Sequence, residues 1–150
     1  MRVGVDTSVI VAAVHANHPL HVLSSTWLDA ALRDDHVVVA HHSILEAYAV
    51  LTRLPAPYRV TPIEAERVLG ETIRPNAEIA SFASASIWDL TARIANSPAS
   101  GGAAYDAFVI ELLSAADVEA IVTFNVADFR RLAGAIPISD PVDLSTRPAP

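Results

Sequence analysis

The chain is 150 residues long with a formal net charge of −7; its ten basic residues are all arginine, and cysteine is absent. The missing lysine disfavours a Walker phosphate loop, a haloacid-dehalogenase-like phosphatase and a response-regulator receiver, each of which relies on a lysine, and the missing cysteine removes disulfides, thiolate nucleophiles and cysteine zinc sites. The acidic balance argues against nucleic-acid binding driven by charge alone, because phosphates are met largely by Lys and Arg, but it is compatible with an enzyme that meets phosphates through a metal ion.

Val3-Gly4-Val5 predicts a short buried strand that delivers Asp6 to its carboxyl end, where ligands sit in open α/β sheets. Residues 7–14 predict a buried helix with Thr7 or Ser8 as cap. His15 and His18 run into Pro19 and read as a polar loop rather than a metal pair. Residues 20–33 carry a helical period through Leu20, Leu23, Trp27, Leu28, Ala31 and Leu32. Val37-Val38-Val39-Ala40 predicts a second buried strand leading into His41 and His42, which read as structural at such a boundary. From Ser43 the helical period resumes and ends at Pro55 and Pro57; Ser43 is expected to cap it, with Glu46 at capping-box spacing. Thr61-Pro62-Ile63-Glu64 repeats that box with proline at the first helical position and opens a helix to about Arg74.

Residues 76–80 predict a third strand, and Ser84 or Ser86 opens an amphipathic helix whose Trp88 is expected in the core or an interface. The Pro-, Ser- and Gly-rich stretch 96–102 is a loop, after which a helix over about 104–116 keeps Asp106 in its first turn, where the helix dipole favours a carboxylate. Residues 119–123 predict a fourth strand ending in the oxygen-rich turn Phe124-Asn125-Val126-Ala127-Asp128-Phe129, and 136–138 a short edge strand. The end, about 143–150, reads as a loose tail. One domain over 1–150 is expected, cytoplasmic and without a membrane segment.

Alternating strands and helices imply a parallel sheet with right-handed crossovers and all carboxyl ends on one edge. Along that edge the sequence sends Asp6, Glu46, Asp106 and the pair Asn125 and Asp128. Such hard oxygen donors suit Mg²⁺ or Mn²⁺ and metal-assisted phosphoryl hydrolysis. Arg130 and Arg131 follow as candidate contacts to RNA phosphates.

The ordered pieces Val5-Asp6-Thr7-Ser8, Leu45-Glu46, Tyr105-Asp106-Ala107 and the run 122–129 resemble the PIN-domain ribonucleases, and among them the VapC toxins of toxin–antitoxin pairs. The resemblance covers nearly the whole chain. It implies a PIN-like three-layer α/β/α sandwich around a mostly parallel sheet of four to five strands. It also implies a Mg²⁺-dependent endoribonuclease, with Mn²⁺ able to substitute, acting on tRNA or ribosomal RNA. Carried over residue by residue, Asp6, Glu46 and Asp106 are the catalytic acids and metal ligands, with Asn125 or Asp128 completing the site and Thr7, Ser8 and Thr123 supporting it. The family often has aspartate where this chain has Asn125. A VapB-like antitoxin and a homodimer, with Trp27 or Trp88 at an interface, are the implied partners. The competing expectations are a catalytically weak PIN-fold module that binds RNA or protein, and a phosphatase or DNA nuclease.

Overall fold

The buried valines of the first strand pair on both sides with other buried strands, and this decides the architecture. In the computed structural model, which describes residues 1–83 and 86–145, β1 (Arg2–Val5) is the middle strand of a five-stranded parallel sheet ordered β3-β2-β1-β4-β5. Its neighbours are β2 (His36–Ala40) and β4 (Ala120–Val122), with Val5 opposite Val39 and Val122. The outer strands are β3 (Ala77–Ala80) and β5 (Ile138–Ser139), the latter following Pro137 at the edge, where the missing ladder donor is tolerated.

Strand residues alternate between two apolar cores, one on each face of the sheet. Val3, Val5, Val37 and Val39 pack under α1 (Thr7–Val14), α2 (His21–Asp34), α3 (His41–Arg53) and α4 (Pro62–Ile73). Val38, Ala40, Ile121 and Ile138 face α6 (Ala103–Ala115) and α7 (Val126–Leu132). Between β3 and α6 the chain forms α5 (Ile87–Ala95), and α8 (Pro141–Ser145) packs on α2. The result is the expected three-layer α/β/α fold. Its strand order reverses between β1 and β4, and the crevice beyond such a switch point is where open α/β sheets bind ligands. Gly4 belongs to this geometry: a Cβ there would stand 2.8 Å from the Leu113 side chain, so its absence lets α6 lie close on β1.

Four local expectations change. Asp6, not Thr7 or Ser8, is the N-cap of α1, accepting from the Ser8 amide. Helix α3 starts at His41 with Ala40 as N-cap, so Ser43 lies inside it, buried and with its hydroxyl unpartnered, and no capping box forms there. The last residue of β2 passes straight into the helix, which leaves no linker for a polar cap. Trp88 is 78% exposed and outside the core, whereas Trp27 packs partly buried against α1–α4. Of the expected tail, residues 143–145 belong to α8; 146–150 lie outside the described residues, as does Ser84. The second box is built as expected, Thr61 and Glu64 capping each other around Pro62. Among the described residues no helix is long and apolar enough to cross a membrane.

Candidate active site

Asp6 is placed by the end of a ladder. Its amide donates to the Val122 carbonyl at 3.0 Å, which fixes the first residue beyond β1 against the end of β4. Its carboxylate is then held through one oxygen: Oδ2 accepts from the Ser8 amide at 3.2 Å, the Ser8 hydroxyl at 2.7 Å and the Thr123 hydroxyl at 2.8 Å. The two hydroxyls are fixed in turn, Ser8 Oγ accepting from the Phe124 amide and Thr123 Oγ1 from the Asn125 amide, both at 3.0 Å. The turn after β4 thereby holds the acid after β1. No protein donor falls on Asp6 Oδ1 among the described residues.

Glu46 reaches the same place from α3. Its Oε2 accepts from the Thr7 hydroxyl at 2.6 Å, a short charge-assisted bond between the first turn of α1 and the second of α3. Asp106 arrives from the opposite face of the sheet in the first turn of α6, with the Asn125 side-chain amide 3.4 Å from its Oδ2. Burial pushes its pKa up to about 6, reinforced by the negative charges of Asp6, Asp128 and Glu46 and only partly offset by Arg131.

Asp6, Thr7, Ser8, Glu46, Asp106 and Asn125 line one crevice of about 490 Å³. Thr123 supports it through Asp6. Asp128 does not line it; its Oδ1 pairs with Arg131 at 3.2 Å, and its charge raises the Asp106 pKa more than that of Glu46 does. Arg130 donates to the Ile138 carbonyl at 3.1 Å, so α7 spends both candidate phosphate-binding arginines on its own surroundings. Besides the apolar Val11, Leu20 and Val50, the crevice is lined by Phe124 and by His18, which the sequence places in a polar loop. Phe124 hid in the turn between the polar residues it separates, and His18 belongs to the loop before α2, where burial together with His15 and His21 holds its pKa below the usual imidazole value. An equally large groove between α3 and α4 is lined mainly by Ile44, Leu45, Tyr48, Leu69 and Ile73 and does not bring acids together.

Carboxylates, hydroxyls and an amide form a hard oxygen donor set of the kind that binds Mg²⁺ or Mn²⁺. Burial, and after it the negative charges of Asp6, Asp128 and Glu46, raises the Asp106 pKa, and a divalent cation would offset the charge repulsion. Among the described residues no group of three or more Asp, Glu or His side chains is placed to hold a metal ion by itself; Mg²⁺ is commonly held by one or two carboxylates with waters and substrate phosphate.

A protein-family profile described as PIN domain matches residues 3–135. Ribonuclease VapC40 of Mycobacterium tuberculosis is 35% identical over 104 residues, covering 69% of this chain and 72% of the relative. Ribonuclease VapC27 of the same organism is 34% identical over 105 residues, 70% of this chain and 72% of its own length. Among solved structures, FitAB bound to an IR36 DNA fragment superposes with a TM-score of 0.60 at 18% identity, over 93% of this chain and 94% of that one. FitAcB from Neisseria gonorrhoeae gives 0.59 at 15%, over 93% and 98%. At such identities the two structures speak for the fold alone.

Proposed function

The chain belongs to the PIN-domain family, in its VapC-type branch, and from that premise we propose that it is a Mg²⁺-dependent endoribonuclease, the toxin of a VapBC-like pair, with Mn²⁺ able to substitute. The curated relatives are named ribonucleases, and this is the class of activity the chain inherits. The observation that carries the reading is the meeting of Asp6, Glu46 and Asp106, from three separate elements, in one crevice where burial, reinforced by like charges, raises the Asp106 pKa.

Asp6, Asp106 and Glu46 would hold the ion, with the side-chain oxygen of Asn125 as a neutral fourth donor. Once bound, such an ion polarises a phosphodiester and makes water a better nucleophile. The chain's own contribution is orientation. Ser8 and Thr123 fix Asp6 through Oδ2, so that Oδ1 is the oxygen left for the ligand. Thr7 fixes Glu46 through Oε2, leaving its other oxygen to align the attacking water and take its proton. The products carry 5′-phosphate and 3′-hydroxyl ends.

The test is cleavage of cellular RNA, tRNA and ribosomal RNA included, by purified protein with Mg²⁺ or Mn²⁺, comparing wild type with Asp6→Asn. Wild type cleaves and Asp6→Asn loses at least about a hundredfold in rate. Equal rates, or no cleavage of any RNA, sink the catalytic reading and favour a non-cleaving binding module. The acidic crevice also suits a basic segment of a VapB-like antitoxin, one arginine reaching the carboxylates, and co-purification with the product of the adjacent gene tests that partner. The working form is a cytoplasmic homodimer.

A further inference from the structure

On α3, His42 precedes Glu46 by four residues, so the two share a helix face about 6 Å apart along the axis. On α6, Tyr105 directly precedes Asp106. The two rings meet between the helices, with centroids 5.3 Å apart and planes 2° from parallel. Phe108, partly buried, stands edge-on to His42 at 5.5 Å and tilts against the partly buried Phe82 at 6.1 Å, so the stacked pair is backed by two further aromatic rings. Its outer member is open, Tyr105 being 60% exposed. Beside it lies a cavity of about 360 Å³ that His42, Tyr105 and Phe108 share with Leu90 and Ile94 of α5.

An exposed tyrosine ring held flat by a neighbour is preorganised for stacking and loses little freedom when a third ring joins. Affinity has few other sources here. Lysine is absent, the net charge is −7, and of the two α7 arginines Arg130 donates to the Ile138 carbonyl while Arg131 lies in an exposed pair with Asp128. Phosphate contacts alone therefore leave RNA weakly bound, and stacking on aromatic side chains is the other general means of holding unpaired bases.

We propose that the stacked His42 and Tyr105 rings form a nucleobase subsite, holding one unpaired base of the RNA beside the bond that Asp6, Glu46 and Asp106 act on. The subsite rests on the ribonuclease reading above. Because every base has a π-face, it selects unpaired over paired RNA rather than one sequence over another.

Binding is measured in an Asp6→Asn background with a short single-stranded oligoribonucleotide carrying 2-aminopurine at each position in turn, whose fluorescence is quenched by stacking. One position is quenched on binding. Adding Tyr105→Ala removes that quenching and weakens binding roughly tenfold, and Tyr105→Phe restores both. An abasic site at the quenched position reproduces the loss and adds nothing to Tyr105→Ala. Unchanged affinity and quenching in Tyr105→Ala, or a loss that Tyr105→Phe does not restore, overturns the subsite while RNA cleavage by wild type keeps the ribonuclease reading. A wild type that cleaves no RNA overturns both.

Discussion

Two tetrads with the same sequence logic, Ser43-Ile44-Leu45-Glu46 and Thr61-Pro62-Ile63-Glu64, have opposite fates in the folded chain. The second is a capping box in which Thr61 and Glu64 satisfy each other's backbone amides, helped by Pro62 in the first helical turn. In the first, the helix has already begun at His41, so Ser43 is buried without a partner and Glu46 is free to accept from Thr7, thirty-nine residues away in sequence. The electrostatics follow the same division. Hydrogen bonds from Thr61 hold the Glu64 carboxyl below the usual range, whereas burial and like charges push Asp106, the crevice neighbour of Glu46, up to about 6. An acid whose hydrogen bonds serve its own helix end stabilises the fold. Acids gathered from separate helices store repulsion that a cation or a proton can relieve.

The largest break between the two regions comes from neutralising each glutamate. Glu46→Gln is expected to lower the RNA cleavage rate by at least about a hundredfold with little change in melting temperature, while Glu64→Gln lowers the melting temperature and leaves cleavage unchanged. A Glu46→Gln protein that cleaves like wild type would show that the freed acid is not part of the machinery.

A second effect has a sign set by linkage. Because the Asp106 carboxyl binds its proton more tightly in the folded protein, near 6 against an ordinary 3.8, its ionisation opposes folding. That cost is absent below 3.8, grows through the window and is complete above about 6. Metal-free Asp106→Asn should therefore melt above wild type at pH 7, with the difference fading as the pH falls toward 3.8. Melting curves in EDTA at both ends of the window check it, and a difference that grows on acidification contradicts a raised Asp106 pKa in the folded protein.

The smallest effects compare the two hydroxyls. Thr61→Ala removes a working cap and should cost about 1 kcal/mol. Ser43→Ala removes a buried hydroxyl that has no partner and should be neutral or stabilising by up to about 1 kcal/mol. Denaturant midpoints of the pair test this, and equal losses at both positions would mean that Ser43 caps after all.

Elements whose signal is local were legible in the sequence. The β-branched run before His41, the apolar run ending at Asp6 and the proline-marked box at Thr61 each carry their information within a few residues, and each strand or helix forms where expected. The errors come from information held elsewhere in the chain. Whether Ser43 caps a helix depends on where β2 stops, and β2 is pinned by its pairing with β1 and β3. From sequence Trp88 is expected in the core or an interface; on α5 it is exposed, which removes the core half of that expectation. At the site, the positions of Asp6 and Asp106 followed from strand and helix ends. The choice between Asn125 and Asp128 did not, because it depends on which way the turn into α7 faces, and only Asn125 lines the crevice. The pairing of His42 with Tyr105 had no sequence signal, since it arises only when α3 and α6 meet around the sheet.

The hydrogen bond from Thr123 to Asp6 spans 117 positions of sequence, which sets an order of events during synthesis. Asp6 is synthesised 117 positions before the hydroxyl that orients it, which follows α6 and β4. A nascent chain that has not yet reached Thr123 therefore carries Asp6 and Glu46 without the hydrogen bond that orients Asp6. The acid after β1 is made well before the residue that holds it in place.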